Sequence, residues 1–174
     1  MAFMQRQWIF LLVFAFIFTG FVILFVPIHK NYVFINNNSD RVTAYIPYVE
    51  STFKIKYTHS IHLSEVLESY KTLPDHTLMA TELEYEDFNV GMPSNAGEGE
   101  EFVEKDGKYF IKNMERKIPE FRLFVGDVDA GLSFLIQERE LDLKEELERG
   151  TSYTLRVQRL SFFQQLKGVN IYEQ

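Results

Sequence analysis

Apolar residues fall into two regimes along this chain. From Trp8 to Ile28 every position is uncharged and nearly all are apolar. As a helix rising about 1.5 Å per residue, that run would match the roughly 30 Å hydrocarbon core of a bilayer. After residue 40 the apolar positions recur mostly at every second place, the signature of half-buried strands. The alternation predicts strands over 41–48 (with Pro47 near the end), 53–60, 65–73, 77–88, 121–125, 132–137 and 151–160. Asp106-Gly107 separates two alternating runs and predicts a tight hairpin, because glycine accepts the positive φ that such a turn requires. Residues 61–64 and 73–76 read as turns, and so does the triplet Asn37-Asn38-Ser39 despite its glycosylation spacing. Residues 144–149 read as one or two helical turns, with Gly150 where a C-cap belongs. The last fourteen residues fit no single pattern.

Many short strands without a repeat predict a mainly β fold. The expected form is an antiparallel β-sandwich or partly open barrel preceded by one N-terminal transmembrane helix. The expected organisation is a cytoplasmic tail at 1–7, a transmembrane signal anchor at 8–28, a linker at 29–40 and an extracytoplasmic β domain at 41–174. A cleaved signal peptide would have a shorter apolar core and a small-x-small site after it, which 24–34 lacks. Trp8 stands where an interfacial aromatic belongs. Arg6 and Lys30 nearly balance across the run, so the short tail is what favours an N-in, single-pass arrangement in the cell membrane.

Charge narrows the partners. All 25 Asp and Glu lie beyond residue 30, so that part is more acidic than the chain's net −7 suggests. Such a surface repels phosphate backbones, and nucleic acid is not expected as a partner. There is no cysteine, which removes disulfides and thiolate metal sites. No cofactor is expected.

The predicted 53–60 strand contains an anomaly. Phe53, Ile55 and Tyr57 share one face, and the next residue on that face is His59, followed by Ser60. A returning strand would bring Glu65 or Glu68 beside the imidazole, where a carboxylate would orient it and favour its protonated form. A structural hydrogen bond would also explain the residue. His59, His62 and Glu65 are metal-ligand types, but their spacing converges only on a helix or a turn, so no metal is expected. His59 and Ser60 are adjacent, which separates them on a strand, and no G-x-S-x-G elbow occurs. Asp127, Asp129 and Gly131 resemble part of a calcium loop, but apolar residues follow where oxygen ligands are needed. The 91–101 loop is rich in glycine and long for a compact domain; Gly91, Met92 and Pro93 form its sharp start.

Tyr57-Thr58-His59-Ser60, the glutamates at 65 and 68, and Phe88 to Pro93 together resemble a bacterial and archaeal family, domain of unknown function family eighteen-fifty. The resemblance runs over about residues 52–160. Where this family often has a small residue before Gly91, the chain has Val90. The resemblance implies a small membrane-anchored protein encoded beside tripartite ATP-independent periplasmic (TRAP) transporters of the TAXI class; it carries over no catalytic residue.

These readings combine into an expectation: a membrane-anchored extracytoplasmic accessory protein, associated with a TAXI-type TRAP solute transporter through a binding or interaction role. Its partners would be the membrane, a transporter permease or solute-binding protein, and a small ligand. His59, Ser60, Glu65, Glu68, Gly91, Met92 and Pro93 are the candidate binding residues. Two alternatives stay open: a small hydrolase using His59 as general base, and a structural envelope module without a ligand.

Overall fold

The computed structural model describes residues 2–59, 63–86, 93, 95–128 and 130–173, with the side chains of 2–7 and 9 outside the description. Helix α1, Ala2–Phe25, leads directly into strand β1, His29–Asn36. There follow β2 (Arg41–Pro47), β3 (Thr52–Thr58), β4 (Glu65–Thr72), β5 (Leu78–Tyr85), β6 (Glu101–Lys105), β7 (Lys108–Lys112), β8 (Arg116–Ile118), β9 (Phe121–Val125), β10 (Leu132–Ile136) and β11 (Arg139–Asp142). Helix α2 (Leu143–Glu146), β12 (Thr151–Leu160), α3 (Phe162–Gln165), β13 (Val169–Asn170) and a 3-10 turn complete the chain.

The strands form two sheets. One runs β13-β2-β1-β12-β9; the other runs β11-β10-β3-β4-β5-β7-β6, with β8 also pairing with β5. All pairings are antiparallel except β13 with β2. Neither sheet closes into a barrel among the described residues. The two sheets enclose one core, with Tyr32, Phe34, Tyr153 and Leu155 from the first meeting Phe53, Ile55, Tyr70 and Phe134 from the second. Phe53 stacks on Phe134 at 4.7 Å between ring centroids and on Tyr70 at 5.2 Å, so aromatic faces fill the centre.

The expected linker at 29–40 is corrected by this structure. Residues 29–36 are β1, hydrogen-bonded on both sides by β2 and β12. Its Tyr32, Val33 and Phe34 are fully buried. Tyr32 and Phe34 face the main core, whereas Val33 and Ile35 join Tyr45 and Leu160 in a second cluster on the other face. A strand covered on both faces loses the apolar–polar alternation by which strands are read. Only 37–40 forms a turn, in which Asn36 Oδ1 accepts the backbone N–H groups of Asn38 and Ser39.

Other boundaries move less. The Asp106-Gly107 hairpin joins β6 and β7 with φ of 55° and 78°, both in the left-handed region the turn demands. Helix α2 ends earlier than the 144–149 expectation because buried Leu147 is extended, with φ −110° and ψ 146°. Gly150, at φ 73°, instead turns the chain into β12 and donates its N–H to Val125 O.

Helix α1 is 24 residues long. Its described side chains, Trp8 and those of 10–25, are mostly exposed and apolar. Among the described residues, which leave out the side chains of 2–7 and 9, no helix is long and apolar enough to cross a membrane. The helix meets the β body at its C-terminal end, where Phe25 packs against Phe163 of α3 at 5.1 Å and Arg159 donates to Ile28 O.

Candidate functional site

The β3–β4 hairpin fixes which residues share a face. Ile55 lies opposite Glu68, Tyr57 opposite Val66, and Thr58 opposite Glu65. Because alternate residues face the same way, Glu68 shares the inward face of β4 with buried Val66, Tyr70 and Thr72. A glutamate therefore points between the two sheets. Its Oε1 accepts the Tyr57 hydroxyl at 3.2 Å, and its Oε2 accepts the Tyr70 hydroxyl. Each oxygen of Glu68 thus receives one phenol donor. No ion pair reaches Glu68 among the described residues. The β4–β5 register shifts directly after it, between Ser69 and Tyr70; such irregularities re-aim side chains.

Burial, followed by the negative charge of Glu68, holds the Tyr57 phenol far above its ordinary pKa. The same causes, in the same order, raise Tyr70. Both phenols thus remain neutral donors to the carboxylate at any ordinary pH. Tyr70 is fixed from behind by stacking on Phe121 of β9 at 5.1 Å, which ties the carboxylate's support to the opposite sheet.

Glu68 and Tyr57 open onto a cavity of about 520 Å³ between β3, β4 and β9, within the usual range for small-ligand sites. Ile55, Phe121, Leu123 and Leu132 supply apolar walls, and Gly126, Asp127, Val128, Ala130 and Gly131 form the mouth with Lys144 beside it. The mouth is pinned to the end of β3: Thr58 N–H donates to Gly131 O, and Gly131 N–H to Thr58 Oγ1, each at 3.1 Å. The Lys144 ammonium donates to Val128 O across the mouth. Arg122 and Asp127 also line the cavity, so the site can enclose an apolar body while presenting the Glu68 carboxylate from β4.

The structure separates the residues proposed from the sequence. His59 lies just past β3 and is half-buried; its N–H bonds to Ser64 O at 2.9 Å, closing the hairpin. Glu65 is on the opposite face from Glu68, exposed, with Lys56 Nζ at 3.9 Å. Glu68 faces Ile55, four residues and about 13 Å along the strand from His59. The hairpin register thus does not bring either glutamate directly across from His59. Pro93 lies near the same end of the sheet: its carbonyl accepts the Tyr85 hydroxyl at 2.5 Å, and Tyr85 is in the cross-strand row of Tyr57 and Val66. Ser60, Gly91 and Met92, together with His62 and Asp129, lie outside the described residues. Among those described, no group of three or more His, Asp or Glu is placed to hold a metal ion.

The sequence reading missed Tyr57 and Tyr70 as partners of Glu68, and it missed the mouth. The parity of Glu68 with Val66 and Tyr70 was the available signal for the first. The mouth depends on β9 and β10 meeting β3 from distant parts of the chain and left no local signal.

A family model described as Domain of unknown function (DUF1850) matches residues 53–143. The match contains Tyr57, Glu68, Tyr70, Phe121 and Leu123, and stops one residue before Lys144. No curated protein and no solved structure matches the chain.

Proposed function

The chain belongs to the DUF1850 family, whose model spans more than half of it, and we propose that it is a membrane-anchored extracytoplasmic accessory protein that binds a small ligand beside a TAXI-type TRAP solute transporter. The observation that carries the binding role is the inward Glu68 carboxylate, supported by two tyrosines, in a cavity large enough for a small molecule. The anchor rests on the uncharged, mostly apolar run from Trp8 to Ile28 and on the exposed apolar side chains described in α1, which water would disfavour. The transporter link rests on the resemblance carried by Tyr57, His59, Ser60 and the Gly91–Pro93 stretch.

The accessory reading is tested with the full-length chain in mild detergent. It should co-purify with the TAXI-type permease or its solute-binding protein, and its deletion should reduce solute import. Association with neither, and import unchanged, would overturn it.

A further inference from the structure

From the chemistry of the cavity we infer that its ligand is an organic amine, bound through a protonated nitrogen at Glu68 with an apolar body along Phe121 and Leu123. This rests on the binding role proposed above and specifies its ligand class.

The first argument is charge balance. Glu68 accepts one phenol on each oxygen, yet a carboxylate offers about four lone-pair positions. Two acceptor sites remain; Arg122 and Lys144 also line the cavity, but among the described residues neither forms an ion pair with Glu68. Phenols supply hydrogen bonds but no countercharge. A carboxylate between two sheets with apolar walls is costly unless it is both hydrogen-bonded and paired. A neutral donor would fill the acceptor sites and leave the charge uncompensated; an anion would add repulsion. An ammonium satisfies both needs, with up to three N–H donors and a positive charge.

The second argument excludes a bare metal ion. Calcium takes six to eight oxygen ligands, whereas the oxygens around Glu68 are one carboxylate and two phenols already donating to it. Ile55, Leu123 and Leu132 add none, and Asp127, the lining's second carboxylate, completes no group of three metal-ligating side chains among the described residues. The same walls suit hydrocarbon, and the faces of Tyr57 and Phe121 suit an ammonium's neighbouring carbons.

The third argument is access. The chain carries a net charge of −7, which raises the local concentration of cations near its surface. The lysine at the mouth, Lys144, is tied to the Val128 carbonyl rather than reaching Glu68.

The test uses three probes with one body and different heads: 3-phenylpropylamine, 3-phenylpropanol and 3-phenylpropionate. Each is titrated by calorimetry into the full-length chain in detergent at pH 7. The amine should bind tightest, and Glu68→Gln should weaken it at least about tenfold, the loss of a charged hydrogen bond, while changing the alcohol little. Circular dichroism and melting establish that Glu68→Gln remains folded; should it unfold, Glu68→Asp, which withdraws the carboxylate by one methylene, takes its place with the same expected ordering. If the propionate or the alcohol binds as tightly as the amine, the amine inference is overturned while the binding role stands. If no probe binds, both are overturned.

Discussion

At the scale of single residues, the inward placement of Glu68 decides what the β body can hold. Its two supporting bonds come from different depths: Tyr57 lines the cavity, and Tyr70 is packed against Phe53 and Phe121. Removing either hydroxyl leaves an acceptor partly unmet beside apolar walls. Tyr70→Phe should therefore lower stability by about 1.5–3 kcal/mol, the range for a hydrogen bond to a charged group. Tyr57→Phe should cost less, about 1 kcal/mol, because water entering the cavity can replace its donor. Urea unfolding of both variants in detergent gives the comparison; equal costs would place the carboxylate in open solvent. The inward direction of Glu68 was legible from its parity with Val66 and Tyr70. Its partner was not, because pairing depends on the hairpin register, which the 59–64 turn sets and a strand pattern does not contain.

His76 supplies a second residue-scale prediction. It occupies a turn at φ 71°. Desolvation first, then the positive charges of Lys30 and Arg159, hold its pKa below the ordinary 6.5. The unfolded chain then takes up a proton more readily than the folded one, so stability falls as pH drops below about 6.5. The fold's contribution from this group is fully present above that pH. His76→Asn tolerates the same left-handed backbone and should flatten the decline in melting temperature between pH 7 and 5. An unchanged slope would assign the acid sensitivity to carboxylates instead.

At the scale of elements, β1 shows what the periodic pattern conceals. The cavity strands β4 and β9, and all of β3 but Thr52, lie inside the matched segment, yet β9 is held in its sheet by β12, and β12 by β1. Residues 53–143 alone would contain one strand of the first sheet. The 29–36 stretch read as a linker because it follows the long apolar run, lacks alternation and carries Asn31 and Asn36 within it. Two-sided burial explains the missing alternation; the Asn residues are met by local bonds, with Asn31 Nδ2 donating to His29 O and Asn36 Oδ1 capping the turn. Phe34 is fully buried in the core shared by both sheets and faces Phe134 edge-on at 6.3 Å. Phe34→Ala should cost about 3–5 kcal/mol, the usual loss for a buried phenylalanine. A linker position would lose almost nothing. By contrast, the Asp106-Gly107 hairpin was fully legible, since its turn chemistry is local.

At the scale of the whole molecule, α1 and the β body meet at one end, and the side chains there suit a membrane interface. Phe162, Phe163 and Leu166 are exposed beside the exit of α1, with Lys30, Arg159 and Lys167 close in sequence. Aromatic and basic residues together favour the headgroup region. If α1 spans the bilayer, this end rests on the lipid and the cavity mouth, on other loops of the body, faces the aqueous side. The chain's single tryptophan, Trp8, makes the arrangement measurable. From Trp8 to Phe25 the helix rises about 25 Å, so a spanning α1 puts the indole near the interface opposite the β body. With full-length chain in vesicles, lipids brominated near the headgroup should quench Trp8 strongly, and lipids brominated near the bilayer centre should quench it weakly. Trypsin added outside vesicles with the β body outward should then digest the body and leave Trp8 emission unchanged. Quenching by aqueous iodide from the outside, with neither lipid effective, would mean that α1 lies off the membrane and would remove the anchor from the proposed function, while leaving the Glu68 cavity and its amine test as they stand.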